Sequence, residues 1–298
     1  MSFAGSLFLT GVGALVYKYD INQVYERHPS SELALKEYSE KVYKKEGEIL
    51  SHRFSRVFGN FFFDFFDGSA FLFPFKGIGQ FYKYKSDYAL NVLGTLSLYL
   101  IMYTIVSMVY WATITPVYTA LFAIFGPTGL LVAWTHSFLQ ANVLTMMFMR
   151  LCHFNNHLIT ITVEKNGMQA FFNKKPIKYY VPITSIYFWS FYLPLKVFKY
   201  FAGTLSLIVA LIISSIPILG PFMFTYLMSP FIAKTFFSKC LRLRGYNNLQ
   251  RKDEFFEHFG QYTAFGMSCG LLETIPILSG FALCTNTIGA ALWAIRNI

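Results

Sequence analysis

Charge is what this sequence has least of. Charged residues make up 13% of the chain and hydrophobic residues 55%, whereas soluble domains carry about 25% charged residues. Acids are scarcer than bases, with 15 Asp and Glu against 25 Lys and Arg, which gives a net charge of +10. This shortage excludes an ordinary soluble domain, and it predicts one membrane-embedded unit with polar connections.

Signals for metal, cofactor or disulfide chemistry are also missing. The cysteines lack CxxC spacing, so neither a metal site nor a disulfide framework is predicted, and we expect no cofactor. His153 and His157 stand four residues apart without a carboxylate, which is a weak metal signal. No Asn-x-Ser/Thr sequon occurs, which indicates that little of the chain reaches a glycosylating lumen. The four cysteines are Cys152, Cys240, Cys269 and Cys284.

Catalytic motifs of membrane lipid enzymes do not occur either. The sequence has no HxxxxD, histidine-box, GxSxG or phosphate-cradling motif, and we expect a non-enzymatic protein. Asp64 and Asp67 share a helix face, but no histidine lies near them in the sequence, which disfavours a catalytic carboxylate pair. The phenylalanines of 58–82 instead predict a membrane-interface segment, with both carboxylates turned to water.

Two stretches repeat nearly the same motif, Ser-Ser-Ile-Pro-Ile-Leu-Gly at 214–220 and Glu-Thr-Ile-Pro-Ile-Leu-Ser-Gly at 273–280. A proline kinks or ends a helix, and a glycine nearby lets the chain reverse. The uncharged run 200–233 would reach about 50 Å as one helix, too long for a hydrocarbon core of about 30 Å. Each motif therefore predicts the turn of a membrane hairpin. The turn residues are Pro217, Gly220, Pro221, Pro276 and Gly280.

The composition changes along the chain divide it into an amino-terminal region, 1–57, and a helical membrane domain, 58–298. Residues 1–17 predict a short inserted or interfacial helix, since they lack the features of a signal peptide. Residues 18–57 predict an amphipathic surface helix that starts near Ser30, and a solvated coil is the alternative. The membrane domain is predicted to hold a long helix pair at 88–150, a cytosolic segment at 151–199, a hairpin at 200–233, a basic connector at 234–258 and a second hairpin at 259–295.

The predicted helix pair carries no charge from residue 88 to residue 149. Proline and glycine breaks predict helices over 88–113 and 128–150, joined by a short broken element. The second helix is unusually polar, and its polar groups are expected to face other helices and to hydrogen-bond there. They are His136, Gln140 and Asn142.

The predicted cytosolic segment contains a β-hairpin signal. Residues 159–163 alternate as Ile-Thr-Ile-Thr-Val, and Asn166-Gly167 follows them. Alternation followed by Asn-Gly is typical of a short hairpin. An aromatic stretch at 187–192 suits a membrane interface.

Basic residues flank the apolar runs, which indicates membrane topology and not a nucleic-acid partner. If the helix pair crosses twice and both later runs are hairpins, all polar segments lie on the cytosolic side. The far turns carry no charge, so the protein suits a bilayer or a phospholipid monolayer over neutral lipid. We expect membrane lipids as partners, with a neutral-lipid droplet surface among them. The basic cytosolic face comprises Lys174, Lys175, Lys178, Arg242, Arg244, Arg251 and Lys252.

Short motifs in the carboxyl-terminal half follow a recognisable order. They are Ile-Pro-Ile-Leu-Gly-Pro at 216–221, Leu-Arg-Gly at 243–245, Phe-Gly-Met at 265–267, Glu-Thr-Ile-Pro-Ile-Leu at 273–278 and Gly-Ala-Ala at 289–291. This order resembles the superfamily of the bacterial CysZ sulfate permeases and the etoposide-induced 2.4 proteins of the endoplasmic reticulum. Pro-Phe-Lys-Gly-Ile at 74–78 is most similar to its fungal branch, which includes lipid-droplet and outer-spore-wall proteins.

The resemblance implies an all-α integral membrane fold of two long transmembrane helices and two proline-broken hairpins. It covers 200–295 best, and 74–150 less well. It leaves the activity open, because the superfamily mixes anion permeases with proteins of other roles.

Glu273 is the only charge in the second hairpin. A charge at mid-bilayer costs roughly 2.5–3.5 kcal/mol on insertion scales, so an intramembrane acid is a functional candidate. Three interpretations are open. The carboxylate bonds backbone groups freed by Pro276, or it lies near the far interface, or it lines a permeation or binding path. His136, Gln140 and Asn142 complete the candidate polar site.

Two functions are expected from the charge pattern together with what the resemblance implies. The first is a non-enzymatic multi-pass protein of the endoplasmic reticulum or lipid droplets that supports lipid storage or spore-wall assembly in a fungus. The alternative is a permease for a small anion such as sulfate, since a basic cytosolic face concentrates anions. An unpaired acid in the membrane is an awkward ligand for sulfate, and this weakens the alternative.

Overall fold

The computed structural model describes residues 25–27, 35–67, 69–152, 154–172 and 178–296. Five predicted features lie outside the described residues: the helix at 1–17, the helix start at Ser30, His153, Lys174 and Lys175.

The amino-terminal half forms one strand and five helices among the described residues. They are β1 (Tyr25–Arg27), α1 (Leu35–Phe66), α2 (Ser69–Lys83), α3 (Lys85–Thr113), α4 (Thr115–Phe122) and α5 (Gly126–Cys152). A 3₁₀ turn, Ala123–Phe125, joins α4 to α5.

The carboxyl-terminal half holds the segment after α5 and both hairpins. A 3₁₀ turn (Phe154–Asn156) comes first and a π-helical turn (Phe188–Tyr192) precedes the first hairpin. β2 (Lys178–Tyr180) pairs with β1 in parallel, with Tyr25 opposite Lys178. The other elements are α6 (His157–Lys165), α7 (Gln169–Phe172), β2 (Lys178–Tyr180), α8 (Leu193–Ser214), α9 (Leu219–Leu243), α10 (Asn248–Glu257), α11 (Phe259–Glu273) and α12 (Leu278–Arg296).

The predicted all-α membrane class is confirmed. In the described part of the chain, four helical segments are long and apolar enough to cross a membrane. They are Lys85–Thr113, Thr115–Arg150, Phe188–Ser214 and Leu278–Arg296. The last of these is mostly buried inside the protein, because α12 lies at the centre of the helix packing.

The two hairpin turns have the same backbone geometry. The amide of Gly220 donates to the carbonyl of Ile216 at 2.8 Å, and the amide of Ser279 donates to that of Ile275 at 3.1 Å. The residue after each proline is in the left-handed region, with φ of 61° at Ile218 and 74° at Ile277. A β-branched residue rarely adopts this conformation, so the two repeats share a strained position as well as a sequence.

Small residues let the second hairpin pack closely against its neighbours. A methyl group added at Gly266 on α11 would overlap the backbone of Ser229 on α9, and one added at Gly289 on α12 would overlap that of Phe73 on α2. Inside a membrane no hydrophobic effect drives helices together, so helices associate through such close backbone contacts. The second hairpin is therefore held between α9 and α2.

Helix α1 lies against the start of α11, the first arm of the second hairpin, where Gly260 meets the backbone of Phe61. Arg53 pairs with Asp253 at 2.7 Å and Arg56 with Glu257 at 2.9 Å. Asp64 does not turn to water as expected, because it is buried with its Oδ2 3.6 Å from Nδ1 of His258. Burial raises the pKa of the Asp64 carboxyl, and nearby His258 opposes the rise.

The β-hairpin prediction at 159–163 is wrong, because these residues belong to the helix α6. Ile159, Thr162 and Val163 are buried at helical spacing. The hydroxyl of Tyr88 on α3 donates to Oγ1 of Thr162 at 3.0 Å. Packing against α3 and α12 overrides the strand propensity of the alternating Ile and Thr residues, as context often does.

Replacing Ile277 with glycine tests the strained turn. Glycine tolerates positive φ, whereas an L side chain there costs about 1–2 kcal/mol. The matched control is Ile275→Gly, which removes another exposed isoleucine side chain from the same turn at a residue without positive φ. In detergent unfolding experiments, we expect Ile277→Gly to be more stable than Ile275→Gly by about 1 kcal/mol. Equal losses of stability would contradict the turn geometry.

Candidate functional site

The long helix α5 lies between the two hairpin turns and sends polar side chains to both. Gln140 and Asn142 are two positions apart, so they project to nearly opposite sides of a helix with 3.6 residues per turn. Gln140 faces the first turn and Asn142 faces the second. Arg150, about two turns further along, also reaches the second hairpin. The positions of these residues along α5 therefore let one helix bond both hairpins.

A buried ion pair joins α5 to the second hairpin. The guanidinium of Arg150 donates to Oε2 of Glu273. Nδ2 of Asn286 on α12 donates to the other carboxylate oxygen, Oε1, at 2.6 Å. The exposed fraction is 2% for the Glu273 side chain and 12% for that of Arg150. The acid therefore has a cationic partner inside the membrane domain, which lowers the cost of its burial.

The backbone at the end of α11 is bonded by other side chains. Asn142 Nδ2 donates to the carbonyl of Glu273 at 2.8 Å, and Ser279 Oγ donates to the same oxygen at 2.7 Å. The hydroxyl of Tyr99 on α3 donates to Oδ1 of Asn142 at 2.8 Å. Carbonyls at a helix end have no helical partner. Asn142 and Ser279, and not the Glu273 carboxylate, satisfy them here.

The first hairpin repeats this arrangement without charge. Ser214 stands three residues before its proline, as Glu273 does in the second hairpin, and its Oγ donates to Oε1 of Gln140 at 2.5 Å. The hydroxyl of Tyr118 on α4 donates to the carbonyl of Ser215 at 2.8 Å. The position three before the proline is therefore the attachment point to α5 in both hairpins.

The attachments set the depth of the turns. Gln140 and Asn142 lie near the middle of α5, and about 20 Å of this helix extends past them to Gly126. The cluster that includes Val143 of α5 and Ala210 of α8 keeps the two helices in register. The hairpins therefore turn at the middle of the long helix pair and do not reach its far end.

The predicted polar residues thus fall into three places, and their functional roles stay predictions. Asn142 meets Glu273, whereas Gln140 meets Ser214. His136 is fully buried beside the ring of Tyr118, at 4.8 Å between centroids. Its ring nitrogens make no hydrogen bond to the described residues.

The predicted basic face is spread over several elements. Lys178 lies in β2, Arg242 near the end of α9, Arg244 just after that helix, and Arg251 and Lys252 in α10. Arg242 and Lys252 are exposed, while Arg244 and Arg251 are half-buried. Among the described residues, no group of three or more His, Cys, Asp or Glu side chains is placed to hold a metal ion.

Several residues of the network were missed in the sequence. Arg150 gave a usable signal, because it is the first charge after the uncharged run 88–149. Asn286 is an amide inside an otherwise uncharged hairpin arm, which is the same kind of signal. Tyr99 and Ser279 gave no such signal, because hydroxyl side chains are common in apolar helices.

The space beside the ion pair is small. A cavity of about 10 Å³ lies between α5, α9 and α12 and is lined in part by Arg150, Asn155 and Thr287. This is room for about one water molecule. The network around Glu273 joins α5, α11 and α12 through an ion pair and a hydrogen bond, whose chemistry suits holding helices together.

The helices, the buried polar network and the uncharged far side define a multi-pass helical membrane protein. The chain is 52% identical over 294 residues to the outer spore wall protein LDS1 of Saccharomyces cerevisiae, covering 98% of this chain and 90% of that protein. It is 28% identical to the outer spore wall protein RRT8 of the same yeast, covering 81% of this chain and 76% of the relative. The chain belongs to the family of outer spore wall proteins.

A shorter match involves the outer spore wall protein LDS2 of the same yeast, at 31% identity over 88 residues, 28% of this chain and 24% of that protein. No family model and no solved structure matches the chain. The relatives confirm the outer-spore-wall part of the fungal resemblance. The wider resemblance to the CysZ and etoposide-induced 2.4 superfamily stays a prediction.

A double-variant experiment tests the buried ion pair. Arg150→Met leaves the Glu273 carboxylate without its cation, and breaking such a pair costs about 3–5 kcal/mol. Adding Glu273→Gln removes the second charge, so the double variant should be more stable than Arg150→Met alone. Lys83→Met, at an exposed lysine of α2, is the control and should unfold like the wild type. The free energy of unfolding in detergent is the measurement, and additive losses in the double variant would contradict the pairing.

Proposed function

We propose that this protein is a non-enzymatic multi-pass membrane protein that supports spore-wall assembly or lipid storage. It acts at the endoplasmic reticulum or at lipid droplets, with its polar segments in the cytosol. The single observation that carries the proposal is an uncharged lobe with exposed apolar side chains at the far end of the long helix pair. Membership of the outer spore wall family supports the spore-wall part.

This far-side lobe consists of the end of α3, α4, the 3₁₀ turn and the start of α5, residues 105–131. It carries no charge. Its outermost side chains are highly exposed and apolar, with exposed fractions of 85% at Ile124 and 66% at Phe125. The lobe's exposed threonine hydroxyls, such as those of Thr113 and Thr128, donate to backbone carbonyls of the protein. The lobe therefore offers water little to solvate, and it suits the neutral lipid beneath a phospholipid monolayer as well as a bilayer.

A second apolar surface lies on the cytosolic side. Four phenylalanines of α1 are exposed by 70% or more: Phe58, Phe62, Phe63 and Phe66. Ion pairs from Arg53 and Arg56 hold α1 to α10. Aromatic rings concentrate at membrane interfaces, so α1 adds an interfacial contact to the inserted helices. Both surfaces are contacts with lipid, and neither holds a set of catalytic groups.

A small-anion permease is the second candidate, and the basic cytosolic face favours it, because clustered cations raise the local anion concentration. The carboxylate of Glu273 is bound by Arg150 and Asn286, which supports an anchoring role for this network. Vesicles reconstituted with the protein test the permease directly. Sulfate flux above that of empty vesicles would replace the first proposal with the second.

Imaging of a tagged chain in neutral-lipid-loaded cells tests the proposed location. The unmodified chain should form rings around droplets. Ile124→Asp places a charge at the far end, which costs about 2–3.5 kcal/mol in hydrocarbon, so it should abolish the rings and leave the reticular signal. Ile124→Ala is the matched control and should keep the rings. An unmodified chain without rings, or Ile124→Asp with intact rings, would contradict the droplet location.

A further inference from the structure

A cationic cleft opens at the cytosolic end of the first hairpin, where the uncharged part of α9 stops. Its volume is about 140 Å³, and it lies between α9, α10 and α11. The hairpin network and the far-side lobe use none of its side chains. The lining residues are Lys234, Ser238, Leu241, Arg251 and Tyr262.

The polar groups of the cleft are hydrogen-bond donors. Arg251 Nη1 donates to Oγ of Ser238 at 3.0 Å, which holds its guanidinium at the wall of the cleft. A guanidinium has five N–H donors, so one group can serve Ser238 and an anion together. Nζ of Lys234 lies 3.9 Å from the ring centroid of Phe255. The cleft therefore presents two fixed cations from two different helices.

Cations outnumber acids around the cleft, where Glu254 lies near Tyr262 and Asp253 pairs with Arg53. Burial lowers the pKa of Lys234 to about 8, and repulsion from Lys199, Lys252, Arg53 and Arg251 adds to the effect. A partly desolvated ammonium among cations is unfavourable unless an anion offsets the repulsion. This surplus of positive charge favours an anionic ligand.

An apolar strip leads from the cleft into the membrane. Phe231 and Leu227 precede Lys234 by three and seven residues, so they share its face of α9. Their side chains are 50% and 44% exposed. A free inorganic anion gains nothing from contact with this apolar strip, whereas the acyl chain of a lipid packs along it.

We infer that this cleft binds the phosphate group of an anionic membrane phospholipid, with an acyl chain along Leu227 and Phe231. Lys234 and Arg251 supply charge-assisted hydrogen bonds to the phosphate oxygens. The cleft lies where uncharged helix gives way to basic residues, which is the level of lipid headgroups. The inference stands on the cleft alone and holds at whichever membrane the protein works.

Binding of a fluorescent phosphatidic acid to the purified full chain in mixed micelles tests the site. Lys234→Gln should weaken binding about tenfold or more, because a hydrogen bond between charged groups is lost. Lys234→Arg keeps the cation and should bind within a fewfold of the wild type. Lys83→Gln removes an exposed lysine outside the cleft and should bind like the wild type. Equal binding by Lys234→Gln and the wild type would overturn the site.

Competition on the unmodified chain separates the lipid from a free anion and needs no variant to fold. Unlabelled phosphatidic acid should displace the probe, whereas phosphatidylcholine and inorganic phosphate at the same concentration should not. Displacement by inorganic phosphate or sulfate as effective as by phosphatidic acid would overturn the lipid assignment. Displacement by phosphatidylcholine would overturn the requirement for an anionic headgroup.

Discussion

A backbone carbonyl inside a membrane must be hydrogen-bonded within the protein, and this constraint organises the whole structure. Each proline-broken hairpin leaves helix-end carbonyls without helical partners. Asn142 and Ser279 bond the carbonyl of Glu273, and Tyr118 bonds that of Ser215. The polar side chains of α5 are needed because the hairpins turn at the middle of this helix, where no water reaches them.

Both hairpins have the same turn geometry, but each is bonded to α5 through a different pair of side chains. Their turn backbones match, including the positive φ at Ile218 and Ile277. The residue three before each proline differs, and so does its partner on α5. Ser214 meets Gln140 through a neutral hydrogen bond, whereas Glu273 meets Arg150 through an ion pair. The second hairpin is the buried one, so its stronger attachment holds the centre of the helix packing.

The long membrane helices and the hairpin turns could be predicted from the sequence, because the length of an uncharged run and the positions of proline and glycine determine them locally. The predicted helices over 88–113 and 128–150 correspond to α3 and α5. The strand prediction at 159–163 failed, because packing on α3 decided the conformation and alternation did not. The partner of Glu273 was also missed, since a contact between residues 150 and 273 depends on the depth at which a hairpin stops, which local patterns do not encode.

Cross-linking of paired cysteines in native membranes tests the attachment of both turns to the middle of α5. In a chain whose native cysteines are replaced by alanine, Gln140→Cys with Ser214→Cys and Asn142→Cys with Thr274→Cys should cross-link with a short bifunctional thiol reagent. Gln140→Cys with Ser206→Cys should not, because residue 206 lies about 12 Å further along α8. Efficient cross-linking of the 140/206 pair, or none in the first two, would contradict the account.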